Sequence, residues 1–219
     1  MNPARHLLWI PAVATFGFLA PFLFSDLLGL PADLYYLIYF SGAVGLFVLY
    51  VRATGLNVRR WLSRRLLWGV LLGIAGGVVL MQGVLARPAT ARLAGLELVR
   101  AIVWRGLIYG SVDGLLLFAF PWIVVWRGLE AEDGGLARRA AAGALALISV
   151  LVITTTYHLG YEDFRSRKII QPNVGSTIGA VPTLVTANPV ASPISHVFLH
   201  VTAVLHSPET DLFLPPHRE

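Results

Sequence analysis

The chain has 219 residues, of which 56% are hydrophobic and only 13% charged, with a mean hydropathy of +0.70 and a net charge of +5. These values exclude an ordinary soluble domain and describe an integral membrane protein in contact with a lipid bilayer. The basic excess is Arg with a single Lys, Lys168, spread between apolar runs, which suits loops at a lipid headgroup surface and excludes a nucleic-acid partner; the lack of Cys excludes disulfides and thiolate metal sites.

Six runs reach the roughly 20 residues needed to cross about 30 Å of hydrocarbon, and they fall near 7–29, 34–52, 66–86, 101–126, 137–158 and 176–206. The first contains Pro11 and Pro21 without a small-residue cleavage signal, so it reads as a retained span. Arg52, Arg59, Arg60, Arg64 and Arg65 follow the second run, whereas the first connection carries only Asp26 and Asp33. The positive-inside rule then makes the Arg-rich loop and both termini cytoplasmic, in a bacterial-type cytoplasmic membrane. Arg127, Arg138 and Arg139 agree with that orientation; Arg165, Arg167 and Lys168 fall on the outer side.

The third run carries Gly69, Gly73 and Gly77, and the fourth carries Gly106, Gly110 and Gly114. Small residues at four-residue spacing clear a groove for a second helix backbone, so these two runs are expected to pack on one another or against a membrane-protein partner. The fourth run also buries Arg105 and Asp113. Ionised groups at such depth pair or line a polar cavity. They are therefore expected either to form ion pairs, with each other or with neighbouring helices, or to border the same cavity as the histidines.

The fifth run ends in Thr154-Thr155-Thr156-Tyr157-His158, followed by Tyr161, Glu162 and Asp163. Pro182, Pro189 and Pro193 interrupt the sixth, and Thr186-Ala187-Asn188-Pro189 reads as a turn. A helix beginning near Pro193, with Ser192 as N-cap, would then carry His196 and His200. At i, i+4 these histidines lie about 40° apart on one helix face and can share a proton or a metal ion. His158, His196 and His200 form a candidate metal-ligand set for zinc or another divalent metal, with Glu162 or Asp163 as fourth ligand or general base. The fold class expected is all-α: a polytopic membrane protein of about six transmembrane helices with a broken last segment, one domain over 1–206 and a polar, extended tail over 207–219.

Arg100-Ala101-Ile102-Val103-Trp104-Arg105-Gly106 resembles the EExxxR motif of the CAAX-protease and bacteriocin-processing family of intramembrane proteases, with the glutamate pair replaced by Arg100 and Ala101. His158, with Thr154 in place of Phe, resembles that family's FxxxH motif. His196 and His200 resemble its HxxxN or HxxxD motif, with His in the last position. The resemblance runs in the family's order from Arg100 to His200 and implies a metal-dependent membrane hydrolase. In the family one Glu activates the attacking water; Glu97, or the pair Glu162 and Asp163 ahead of Arg167, are the acids that could replace it. The alternatives are a degenerate protease homologue, a non-enzymatic membrane subunit or scaffold with structural histidines, and a transporter using the broken segment with Asp113 as coupling site.

Overall fold

The computed structural model describes residues 3–209 and 212–215, and among these there is no β-strand. Helix α1 spans Arg5–Leu27, α2 Ala32–Thr54, and the short α3 Val58–Ser63 leads into α4, Leu66–Leu85. Helix α5 covers Gly95–Gly128, α6 Leu136–Leu159, α7 Ile170–Thr186 and α8 Ala191–His206. Five of these, α1, α2, α4, α5 and α6, are long and apolar enough to cross a membrane. The all-α polytopic architecture expected from composition is the one observed.

Local chemistry sets the element ends. Helix α2 stops at Gly55, whose φ of 62° is open to glycine and whose amide bonds the Val51 carbonyl. Asn57 caps α3, its Oδ1 accepting from the Arg60 amide at 3.0 Å. Wide π-turns at Pro21–Leu27 and Leu115–Ala119 accompany Pro21 and Pro121, which have no amide to donate to the preceding turn. Leu67, Trp68 and Val79 on α4, and Leu37 and Leu49 on α2, face outward. In a membrane protein that apolar exterior is the lipid contact.

The last apolar run is two helices of 17 and 16 residues, each about 25 Å long at 1.5 Å per residue. They fold back as a hairpin on α4. Read as one pass, this segment leaves both chain ends on the same side. The hairpin instead returns the chain, so that His206 bonds the Arg87 carbonyl at 2.9 Å while His6 meets Tyr50 at the opposite end of the bundle.

Asn188 holds the turn. It is fully buried, its Nδ2 donates to the carbonyls of Leu62 (3.1 Å) and Arg64 (2.5 Å), and its Oδ1 accepts from the Val190 amide at 2.8 Å. Helix α8 starts at Ala191, so Ser192 is not its N-cap: the Ser192 amide is satisfied by Thr183 Oγ1 at 3.0 Å, from the facing helix. Asn188→Ala is expected to destabilise the protein by about 1–3 kcal/mol, the cost of buried polar groups left unpaired. Thermal unfolding in detergent, compared with the wild type, measures it; equal melting temperatures would contradict this account of the turn.

The glycine rows do not pack on each other as expected. Both receive α8. A Cβ at Gly73 would lie 2.7 Å from the Ala191 carbonyl, and one at Gly77 would lie 2.6 Å from the Phe198 ring. On the other side, a Cβ at Gly106 would meet Val201, one at Gly110 would meet Val197 and His200, and one at Gly114 would come within 2.8 Å of the Pro193 Cα. Small residues clear a groove, but their spacing does not say which helix fills it. Ser195 adds a hydroxyl bond to the Gly73 carbonyl at 2.8 Å. The helix bearing both histidines is thus clamped between α4 and α5.

Candidate metal centre

The clamp brings two turns of α8 against the middle of α5. There, π-turns at Ile102–Ile108 and Leu115–Ala119 bracket a regular α-helical stretch, Tyr109–Gly114, that carries Asp113. His196 Nε2 lies 2.7 Å from Asp113 Oδ2 and 3.0 Å from His200 Nε2, and His200 Nε2 lies 3.9 Å from the same carboxylate oxygen. Tyr39, from α2, donates to the other oxygen, Asp113 Oδ1, at 2.5 Å. All four side chains are buried, Asp113 at 2% exposure.

This geometry admits a cation as well as a shared proton. His196 Nε2 faces both the carboxylate and the second imidazole, and a neutral ring has one N–H with one axis to serve them. Three lone pairs around a point are satisfied together by a metal ion. With bonds of about 2.0–2.1 Å in tetrahedral array, ligand atoms stand roughly 3.3 Å apart. The observed separations of 2.7, 3.0 and 3.9 Å differ from that by tenths of an ångström. Asp113, His196 and His200 can therefore hold a metal ion, and among the described residues they are the only such cluster found. No known protein family, no curated protein and no solved structure matches the chain.

The cluster opens into a cavity of about 90 Å³, room for several water molecules. His158, Tyr109, Tyr157, Tyr161 and Ser176 line it together with the three candidate ligands. His158 stands apart from the cluster. Its Nδ1 lies 2.8 Å from the Thr154 carbonyl, and since a carbonyl only accepts, Nδ1 carries the proton and Nε2 keeps its lone pair. The described part of the tail, expected to be polar and extended, also reaches the cavity: Leu212, Phe213, Leu214 and Pro215 line it, and Leu214 is buried.

A file of hydroxyls runs from Tyr109, Tyr157 and Tyr161 on the cavity wall to Tyr35 behind it. Tyr109 and Tyr157 are joined at 2.5 Å, Tyr157 and Tyr161 at 2.9 Å, and Tyr161 and Tyr35 at 2.5 Å. Burial pushes the Tyr161 phenol well above its ordinary range, so it stays protonated. Four hydroxyls joined by three bonds retain one undonated proton. When Tyr35 donates inward along the file, that proton rests on Tyr109, at the cavity and beside the His200 ring.

The other residues singled out from the sequence lie elsewhere. Glu162 and Asp163 are exposed in the connection after α6, and Asp163 is 3.7 Å from Lys168. Arg105 does not pair with Asp113. It donates to the Pro208 carbonyl at 3.1 Å and lines a separate pocket with Glu97. Tyr39 and Tyr35 were not candidates. The signal available for them was polar residues repeated at i, i+4 inside apolar helices: Tyr35 with Tyr39, Tyr109 with Asp113, Tyr157 with Tyr161.

Proposed function

We propose that the protein is a metal-dependent intramembrane hydrolase acting on a peptide bond within an apolar segment. The observation that carries this reading is the convergence of Asp113, His196 and His200 on one point at the wall of a partly open cavity. Two imidazoles and one carboxylate, with a position left open, is a donor set used by catalytic zinc. A divalent metal ion held by Asp113, His196 and His200 would supply Lewis acidity and a water acidic enough to ionise near neutral pH.

The chain's own groups do the remainder. His158, with its free Nε2 on the cavity wall, accepts a proton. Tyr109 donates a hydrogen bond to oxygen charge developing on the substrate. Asp113 serves as a metal ligand, and His158 takes the water-activating role that the resemblance to CAAX-protease and bacteriocin-processing enzymes gives to a glutamate, replaced here at Arg100 and Ala101. By the positive-inside rule the end bearing Arg52, Arg59, Arg60, Arg64 and Arg65 faces the cytoplasm, so the cavity mouth near Gln171 and Pro172 faces the outer surface.

The test is cleavage of quenched apolar peptides by the full chain in proteoliposomes supplied with zinc. Cleavage is expected to stop with a chelator and return with added metal. His158→Ala is expected to lower turnover by at least about 100-fold, the scale of a lost general base, with metal content unchanged. Cleavage indifferent to both the chelator and the substitution would overturn the proposal.

A further inference from the structure

A second pocket, of about 440 Å³, lies between the first turns of α2 and the first turns of α5 and shares no lining residue with the metal-centre cavity. Along α5, Glu97, Arg100, Ala101, Trp104 and Arg105 recur at i, i+3, i+4, i+7 and i+8, which is one helix face, and all five line the pocket. Asp33 and Tyr36 line it from α2. Arg100 and Asp33 form an exposed ion pair.

Arg105 sits about 12 Å further along the helix than Glu97, at 1.5 Å per residue, and it is half-buried. Among the described residues it meets no carboxylate, and its one hydrogen bond runs to the Pro208 carbonyl. Arg105 Nε, Trp104 Nε1 and Tyr36 Oη are buried without a hydrogen-bond partner, although the Tyr36 hydroxyl lies beside the guanidinium. Tyr36 itself is 1% exposed. A guanidinium inside an apolar helix is costly unless a counter-ion meets it, and three unmatched donors along one wall call for an acceptor-rich anion.

The pocket is electrically balanced, with two Arg and two carboxylates. A simple anion would satisfy Arg105 and be repelled by Glu97. A ligand with a phosphate and an ammonium a few bonds apart satisfies both. Arg presents the fork that matches phosphate oxygens, and Trp and Tyr are at home at the level of lipid headgroups.

We propose that this pocket binds the headgroup of a zwitterionic aminophospholipid, with its phosphate on Arg105 beside the Trp104 and Tyr36 donors and its ammonium at Glu97. The binding site is independent of the metal centre and of the hydrolase reading. It gives Arg105, which the catalytic cavity does not use, its counter-ion.

Native mass spectrometry of the full chain, exchanged into equal amounts of phosphatidylethanolamine, phosphatidylglycerol and phosphatidylcholine, tests it. Phosphatidylethanolamine is expected to be retained about tenfold over the other two, because glycerol lacks the cation and choline cannot donate to Glu97. Arg105→Gln should lower its retention by about tenfold or more, and Glu97→Gln should remove the preference over phosphatidylglycerol. Trp104→Phe, which keeps the ring packing, should lower retention several-fold and serves if Arg105→Gln does not fold. Tighter binding of phosphatidylethanolamine than of soluble phosphorylethanolamine is the result for a lipid site; the reverse order assigns a free phosphorylated amine and overturns the lipid. Equal retention of all three lipids, or unchanged retention in both the Arg105 and Trp104 variants, also overturns the proposal.

Discussion

Asp113→Ala is expected to leave the chain unable to hold a metal ion. Wild-type protein purified with zinc and dialysed should hold about one ion per chain. Without the carboxylate only two neutral imidazoles remain, and no other carboxylate joins them among the described residues. His200→Ala and His196→Ala should do the same, each lowering affinity by more than about 100-fold, beyond the range for losing an outer partner. Asp113→Asn keeps the shape of the side chain and removes the anionic ligand, so it separates loss of the ion from loss of the fold. Tyr39→Phe removes only the hydroxyl that fixes Asp113 Oδ1, and its expected effect is a smaller weakening of roughly 10- to 100-fold, the scale for losing a hydrogen bond that orients a ligand. Mass-spectrometric metal analysis after dialysis reads all five variants. Wild-type metal content in Asp113→Ala and His200→Ala would refute the centre.

Gly73→Val and Gly114→Val are expected to be the most disruptive single changes away from the centre. Each would drive a side chain into backbone, at 2.7 Å from the Ala191 carbonyl in one case and 2.8 Å from the Pro193 Cα in the other. Neither obstacle is the movable end of a flexible side chain, so α8 itself must shift. Overpacking of this kind costs about 1–3 kcal/mol or more. The effect should also reach the metal site, because Gly110 and Gly114 lie against the Cβ atoms of His200 and His196. Gly45→Ala is the control: nothing stands within 4 Å of its Cβ, and alanine is the better helix former by roughly 0.5–1 kcal/mol. Thermal unfolding in detergent should show a lowered melting temperature for the two valine variants and no loss for the control. Three equal temperatures would mean that the close packing of α8 is not what holds the bundle together.

These two results also mark where reading the sequence stops. His196 and His200 could be paired from their spacing, because one turn of helix places them together whatever surrounds it. The glycine rows could be read as faces of close approach for the same local reason. Their common target, α8, could not be read, since any helix fits a cleared groove. The last apolar run shows the same limit: its prolines announced a break, but only the bonds from Asn188 to Leu62 and Arg64 fix that break as the turn of a hairpin.

By itself the sequence determined an all-α membrane protein, its long apolar helices and one histidine pair, because hydropathy and helical period are properties of neighbouring residues. Tertiary structure alone decided which acid meets that pair. Glu162 and Asp163 lie near His158 in the chain yet stay in an exposed connection, while Asp113, 83 residues before His196, is brought to 2.7 Å. That choice depends on the register of α5 against α8 and on Tyr39 from a third helix. Register between helices is set by side chains interlocking across the interface, and no spacing within one helix contains it.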